Sequence, residues 1–285
     1  MTTLGIYEKA LPKDVSWLER LQMAKDLGFD FVEMSIDETD KRLSRLDWTK
    51  EEIAQVNAAK VQTGVGIYSI CLSGHRRFPF GSADPQKRAK ALEIMQKAID
   101  LAQALGVRNI QLAGYDVYYE EKSVLTYERF VENLKKAVAM AAAKQVMLSI
   151  EIMDDPFINS LTKFKEIKAL IPSPWLQVYP DLGNLSAWPE NKVNHELSIG
   201  IDSIVAIHIK DTLSVRPDFP GQFKNVPFGQ GQVDFLGCFK ALKRLNYQGS
   251  FLIEMWSETD QQPAERIQEA LAYLRPIMKE AGYDI

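Results

Sequence analysis

The sequence has little of what stabilises small secreted proteins or membrane proteins. Its 285 residues include only two cysteines, Cys71 and Cys238. One lies in an apolar strand-like run and the other in a helical pattern, so we expect two reduced core residues rather than a disulfide or a metal pair. No run of eighteen apolar residues occurs, and no basic segment followed by an apolar stretch opens the chain. We therefore expect a cytoplasmic protein without membrane contact.

A strong basic charge is also missing. The chain carries 34 Lys and Arg against 38 Asp and Glu, a formal charge of -4, so there is no general field that would attract nucleic acid, and no nucleic-acid partner is expected. Hydrophobic residues make up 46% and charged residues 25%, which is typical of a globular protein. Because α/β barrels commonly use about 250 residues as one unit, residues 1–285 are predicted to form a single domain.

Short runs rich in β-branched and aromatic residues alternate with longer amphipathic stretches. This alternation indicates βα units that build a parallel sheet. The predicted strands cover residues 4–7, 29–35, 66–73, 108–114, 146–152, 176–181, 204–210 and 250–256. Eight strand signals with helices between them favour a single closed (β/α)8 TIM barrel over an open doubly wound sheet.

Four successive predicted strands end in a polar side chain capable of binding a metal ion. Glu151, Asp181, His208 and Glu254 lie at or near the ends of strands five to eight. Because the active sites of such barrels gather at the carboxyl ends of the strands, these side chains can converge at one rim. Three carboxylates and one imidazole suit one divalent ion, and Mn²⁺, Mg²⁺, Co²⁺ and Zn²⁺ remain open.

The two glutamates of this set could serve as an acid/base pair on opposite faces of a bound substrate. Glu258, in "MWSE", is a competing carboxylate, but we expect it in a loop or at a helix start. Glu33, near the end of the second predicted strand, is expected to bind a substrate hydroxyl or to support another side chain. Trp256, after the eighth strand, is expected to wall the pocket.

Two predicted rim loops carry groups that suit an anionic substrate. Charge-assisted hydrogen bonds from guanidinium, ammonium and amide groups are the usual means of binding phosphate. The candidate substrate-binding residues are His75, Arg76 and Arg77 in "SGHRRFP", and Lys224 and Asn225 in "FKNVPFG".

The motifs "EIMD", "PDLGN", "HIKD", "PFGQGQVDF" and "LIEMWSE" resemble those of the xylose isomerase-like barrels, within them the ketose 3-epimerases. The stretches "LGIYEKALP", "GFDFVEMSIDETDKRLSRLDW", "CLSGHRRFPFGS" and "QLAGYDVYY" resemble the L-ribulose/L-xylulose 5-phosphate 3-epimerase family over nearly the whole chain. The resemblance implies interconversion of L-xylulose 5-phosphate and L-ribulose 5-phosphate in L-ascorbate or L-xylulose catabolism. It also implies a metal held by Glu151, Asp181, His208 and Glu254, with the two glutamates as acid and base at C3.

One position departs from the wider pattern, and other functions stay open. Free-sugar 3-epimerases usually carry histidine three residues after the aspartate of strand six, whereas this chain has Asn184, which we expect to donate a hydrogen bond to a substrate oxygen. An aldose-ketose isomerase would use the same metal site, and a non-catalytic sugar-phosphate-binding module would use the arginines alone. A zinc-cluster endonuclease would need more than the three histidines present. The oligomeric state is open, with a homodimer among the options.

Overall fold

Eight parallel strands form the centre of the protein in the computed structural model, which describes residues 2–285. The barrel strands are β1 (Leu4–Tyr7), β2 (Phe31–Ile36), β3 (Gly66–Leu72), β4 (Asn109–Ala113), β5 (Met147–Glu151), β6 (Leu176–Tyr179), β7 (Ala206–Ile209) and β10 (Ser250–Ile253). Their order in the sheet is β6-β5-β4-β3-β2-β1-β10-β7. All eight lie where the apolar runs predict them, because strands covered on both faces consist of nearly continuous hydrophobic residues.

Hydrogen bonds between β6 and β7 close the sheet into a barrel. The N–H of Val205 donates to the carbonyl of Val178 at 3.1 Å, and the N–H of His208 donates to the carbonyl of Pro180 at 2.9 Å. The predicted (β/α)8 barrel is thereby confirmed. The single-domain organisation of residues 1–285 stays a prediction.

Helices surround the barrel and cover its outer face. They are α1 (Trp17–Asp26), α2 (Asp40–Leu43), α3 (Lys50–Thr63), α4 (Pro85–Leu105), α5 (Val124–Ala143), α6 (Leu161–Leu170), α7 (Leu182–Ala187), α8 (Val193–Gly200), α9 (Phe235–Arg244) and α10 (Pro263–Glu280). Ser16 and Thr49 begin α1 and α3 with reciprocal capping hydrogen bonds to the third residue of each helix. Gly64 and Gly106 end α3 and α4 in the left-handed conformation that glycine adopts without strain. Among residues 2–285, no helix has the length and apolar character needed to cross a membrane.

An antiparallel hairpin follows β7 and has no counterpart among the sequence predictions. It consists of β8 (Asp211–Leu213) and β9 (Gln222–Val226). The second strand, "QFKNV", is short and partly exposed, so it has neither the apolar run nor the clean alternation that predicts a strand. The carboxylate of Asp211 accepts hydrogen bonds from the N–H groups of Gly229 and Gly231, both at 2.9 Å, and so anchors the "PFGQG" loop that follows the hairpin.

A buried ion cluster joins the carboxyl end of β1 to α1 and to the segment after β2. Glu8 follows β1 and accepts hydrogen bonds from both terminal nitrogens of Arg45, at 2.6 and 2.7 Å. Arg20 and Arg42 each approach the same carboxylate to 3.9 Å. Burial alone would raise the pKa of Glu8, but the three guanidinium groups lower it to about 2.

We predict that Glu8→Gln flattens the acid side of the stability profile. The pKa of Glu8 in the folded protein lies below the ordinary value of 4.5, so its ionised form stabilises the fold at higher pH. That contribution, about 3 kcal/mol, is fully present above about pH 4.5 and is lost as the pH falls towards 2. Urea unfolding between about pH 6 and pH 3 should show a shallower fall for the variant than for wild type. Parallel profiles would contradict this account, and Glu269→Gln, at an exposed position on α10, is the control.

Candidate metal centre and active site

Four side chains from adjacent strands meet at the carboxyl end of the barrel. Glu151 ends β5, Asp181 lies just beyond β6, His208 is within β7, and Glu254 follows β10. One ligand-type atom from each lies within 4.8 Å of the others. We call these four residues the acidic cluster. Its position is where parallel barrels place their functional groups.

The members of the acidic cluster differ in how far they reach the solvent. The side chains of Asp181 and His208 are 0% exposed, whereas those of Glu151 and Glu254 retain 5% and 7%. Asp181 is held in place as the N-cap of α7, because its Oδ1 accepts a hydrogen bond from the N–H of Asn184 at 2.6 Å. The aspartate and the histidine therefore form the floor, and the glutamates are the members that a substrate can reach.

Glu33 orients His208. The Nε2–H group of His208 donates to Oε1 of Glu33 at 2.8 Å, and the hydroxyl of Ser69 donates to Oε2 of Glu33 at 2.5 Å. This leaves Nδ1 of His208 facing the acidic cluster, 3.2 Å from Oε1 of Glu151. Burial opposes a charge on the ring, but Glu33 and Glu151 raise the pKa of His208 well above its ordinary value. Glu33 is 0% exposed, and its contact with His208 is the arrangement of a side chain that supports another, while a contact of Glu33 with substrate stays a prediction.

Lys210 is not among the residues predicted from the sequence, and its ammonium group lies beside the acidic cluster. It donates to Oε2 of Glu254 at 2.7 Å and lies 3.5 Å from Oδ2 of Asp181. Burial raises the pKa of Asp181, whereas at Glu254 the charges of Lys210 and His208 outweigh burial and lower the pKa. The signal was present in "HIK", because residues two apart in a strand face the same side.

Gln111 is a second residue that the sequence analysis missed. It lies within β4, and its Nε2 donates to Oε2 of Glu151, so the other oxygen of that carboxylate faces His208. A buried amide in the middle of an apolar strand was the available signal, since such a group needs a polar partner.

The donors of the acidic cluster fit a divalent cation. Oδ2 of Asp181 is buried and has no hydrogen-bond partner. A buried carboxylate oxygen without a donor is costly, and a cation among three carboxylates and one imidazole nitrogen would satisfy it. The arrangement can therefore hold a metal.

Asn184 lies buried beside Asp181. Its side chain is 0% exposed, and its Nδ2 donates to the carbonyl of Ile152 at 2.8 Å. The side-chain amide of Asn184 thus joins the segment after β6 to the segment after β5. The expected hydrogen bond from Asn184 to a substrate oxygen stays a prediction, and the contact of its Nδ2 with Ile152 does not favour it.

The three residues of "HRR" point in three directions. His75 is buried, its Nε2 pairs with the carbonyl of Ala91 at 3.1 Å, and burial lowers its pKa to about 4. Arg77 is half exposed and pairs with Asp40 at 2.6 Å. Neither joins the acidic cluster, so the expected substrate-binding roles of His75 and Arg77 stay predictions that these contacts do not favour. The cause of the different directions is the tight 3-10 turn at Gly74–Arg76, which turns successive side chains apart by about a third of a revolution.

Arg76 alone among the three lies beside other groups of the rim. Its Nη2 donates to the hydroxyl of Tyr115 at 3.3 Å, and its guanidinium group lies 5.1 Å from the ring centre of Tyr118. The hydroxyl of Tyr115 in turn donates to Asp154, in the loop after β5. These contacts hold a charged side chain in a fixed place on the rim.

The hairpin brings Lys224 to the same region. Its ammonium group lies 5.5 Å from the ring centre of Trp256, and that of Lys210 lies at the same distance from the same ring. Burial first, and then the charge of Arg76, lower the pKa of Lys224. Asn225 is exposed with a φ of +58°, and together with Lys210, Glu254 and Trp256 it lines a cavity of about 230 Å³. The structure therefore brings Lys224, Asn225 and Trp256 next to the acidic cluster.

A closed eight-stranded barrel with carboxylates and an imidazole at the carboxyl ends of its strands is typical of TIM-barrel enzymes. Residues 21–277 match the family model described as xylose isomerase-like TIM barrel, and the chain belongs to this family.

Solved structures share the fold. The chain resembles 3-keto-D-glucoside 4-epimerase YcjR from E. coli with a TM-score of 0.77 and 21% identity, over 97% of this chain and 100% of the other. It resembles an L-ribulose 3-epimerase with a TM-score of 0.76 and 20% identity, over 99% and 96% of the two chains.

Several curated proteins are similar over almost their full length. The chain is 57% identical over 280 residues to proteins named L-ribulose-5-phosphate 3-epimerase UlaE from Escherichia coli and Escherichia fergusonii, covering 98% of this chain and 96% of theirs. It is 59% identical over 280 residues to SgbU of Escherichia coli, which is provisionally named for the same activity, with 98% of both chains covered.

We predict that the acidic cluster and Glu33 determine the metal content. Elemental analysis should find about one divalent ion per chain in wild type, and Asp181→Ala or His208→Ala should remove it. Glu33→Gln should weaken metal affinity by about 10- to 100-fold, because His208 loses the carboxylate that orients it. Glu258→Gln is the matched control, since Glu258 pairs with Arg42 at 2.5 Å and stays outside the cluster. Full metal content in the two alanine variants would contradict the assignment.

Proposed function

We propose that this protein is an isomerase that interconverts L-ribulose 5-phosphate and L-xylulose 5-phosphate by epimerisation at C3, in the breakdown of L-ascorbate or L-xylulose. The observation that carries the proposal is the arrangement of two glutamates above a buried floor: Glu151 and Glu254 are the only members of the acidic cluster with exposed side-chain surface. The similarity to the UlaE proteins, at 57% identity, supports the choice of substrate.

One divalent ion is proposed to be held by Glu151, Asp181, His208 and Glu254. When bound, it supplies a Lewis acid next to the substrate carbonyl, which makes the neighbouring C–H group more acidic. The donor set accepts Mn²⁺, Mg²⁺, Co²⁺ or Zn²⁺.

The two glutamates divide the proton transfer between them. Epimerisation removes the proton at C3, leaves an enediolate, and returns a proton to the opposite face, so it needs one group on each face. Oε2 of Glu151 is held by Gln111, and Oε2 of Glu254 is held by Lys210. Each carboxylate is thus oriented by a neighbouring donor before substrate binds.

Arg76 and Lys224 are proposed to bind the substrate phosphate, with Trp256 as the wall between them and the acidic cluster. Arg76 is held by Tyr115, and Lys224 lies over the ring of Trp256. Both are cations on rim segments, and each lies close enough to the other for their charges to interact. Asn225 borders the same cavity and adds an amide donor.

The protein is further proposed to work in the cytoplasm, where its two cysteines would stay reduced. Cys71 and Cys238 are both free and buried. A homodimeric state and the lack of nucleic-acid and membrane partners stay predictions.

Exchange with D₂O tests the reaction and the two-base scheme. Wild type should place deuterium at C3 of both pentulose phosphates, whereas an aldose-ketose isomerase would label C1 or C2 and a binding module would label neither. Glu151→Gln and Glu254→Gln should each lower interconversion by about 100-fold or more, while each keeps C3 exchange of one epimer, opposite in the two variants. Because the amide changes a proposed ligand, metal content is measured in parallel. Full epimerisation by either metal-loaded variant would exclude two bases, and wild type without C3 exchange would exclude the function.

A pair of neighbouring arginines tests the phosphate site. Arg76→Ala should reduce kcat/KM for the phosphorylated ketose by about 10- to 100-fold, since one charge-assisted hydrogen bond is typically worth ~1.5 to 3 kcal/mol, and should change that for the free ketose much less. Arg77→Ala is the matched control, because Arg77 pairs with Asp40 at the surface. Equal losses on both substrates, or equal effects of both variants, would argue against Arg76 as a phosphate ligand.

A further inference from the structure

Lys210 transfers no proton in the scheme proposed above, where it only holds the carboxylate of Glu254, and it is the ammonium group closest to the acidic cluster among residues 2–285. Its side chain is only 7% exposed, and it lies 2.7 Å from Glu254 and 3.5 Å from Asp181. A lysine buried this deeply loses the hydration of its charge, so its position between two carboxylates requires an explanation.

The oxygens that Lys210 contacts are those that face the centre of the cluster. They are Oε2 of Glu254 and Oδ2 of Asp181, and each of these atoms lies 4.0 Å from Nδ1 of His208. A cation bound among the four cluster residues would use the same two oxygens. The ammonium group and a divalent ion therefore compete for them.

The charges around this point also require a resident cation. Glu33, Glu151 and Glu254 surround His208 together with Asp181, so four carboxylates lie in one buried region. The Nε2–H of His208 donates to Glu33. Lys210 is therefore the positive group that lies next to both Asp181 and Glu254. Without a cation at that place, the two carboxylates would repel each other in a region that water hardly reaches.

Lys210 also borders a cavity and an aromatic ring. Lys210 lines the cavity of about 230 Å³ next to Glu254, and the ring of Trp256 lies 5.5 Å from its Nζ. The face of an indole attracts an ammonium group, so the side chain can leave the two oxygens without losing all stabilisation of its charge.

We propose that Lys210 is an internal counter-cation, a positioning residue that holds Asp181 and Glu254 together in the metal-free protein and that competes with the metal for their inward-facing oxygens. The inference rests on the proposed metal centre. It means that Lys210 weakens metal binding while it keeps the empty cluster assembled. A lysine that only supported the ligands would have the opposite effect on affinity.

Lys210→Met separates these roles, since methionine keeps the apolar stem and removes the charge. Titration calorimetry with Mn²⁺ alone should show a Kd lower than that of wild type by about tenfold or more, because a competing positive charge is gone. Thermal unfolding should show the metal-free variant melting roughly 5 °C or more below metal-free wild type, with a smaller difference when Mn²⁺ is saturating. Lys210→Arg keeps the charge and should restore the melting temperature of the metal-free protein.

Lys224→Met is the matched control, because its ammonium group lies at the same 5.5 Å from Trp256. Its Mn²⁺ affinity should stay within about threefold of wild type, since Lys224 makes no hydrogen bond to the cluster. A Lys210→Met variant that folds only with Mn²⁺ supports the inference, and one that fails to fold even with Mn²⁺ overturns it. Unchanged or weaker Mn²⁺ binding by a folded variant also overturns it. If wild type itself binds no divalent ion, the proposed metal centre fails instead.

Discussion

The contact between Lys210 and the inward-facing oxygens of Asp181 and Glu254 is the interaction on which the rest of the site depends. The barrel brings several carboxylates to one buried region, and without nearby positive charge their repulsion would favour opening the rim. Lys210 supplies that charge from the position directly after β7, the strand that presents His208. Charge balance, rather than the fold alone, therefore explains how an acidic cluster can exist at the end of an apolar barrel.

The acidic cluster consists of two pairs of residues that differ in their exposure to solvent. Asp181 and His208 are fully enclosed and held by Asn184 and Glu33, so their geometry is fixed by the protein interior. Glu151 and Glu254 keep 5% and 7% of their side-chain surface exposed. A group that transfers protons needs access to the reacting atom, whereas a group that only holds a cation does not.

The sequence predicted the strands and the four cluster residues well, because both depend on a simple pattern. A long apolar run that ends in a carboxylate marks a buried strand with a polar end, whatever the surroundings. The roles of Glu33 and Asn184 depend instead on partners that are distant in sequence, His208 and Ile152. The directions of the three side chains in "HRR" depend on one tight turn. The hairpin strand that carries Lys224 is partly exposed and has no apolar face that would mark it as a strand. Such features require the folded chain to be known.

The short motif "HIKD" connects the acidic cluster to the loop that follows the hairpin. His208 and Lys210 are two residues apart, so both face the acidic cluster, while Asp211 turns to the loop and accepts the N–H groups of Gly229 and Gly231. That loop follows β9, which holds Lys224 over Trp256. One strand end thus fixes a cluster residue, its counter-charge and the segment proposed to bind phosphate. The separation between the acidic cluster and Lys224 is consequently set by the end of β7 and the hairpin that follows it, rather than by a free loop.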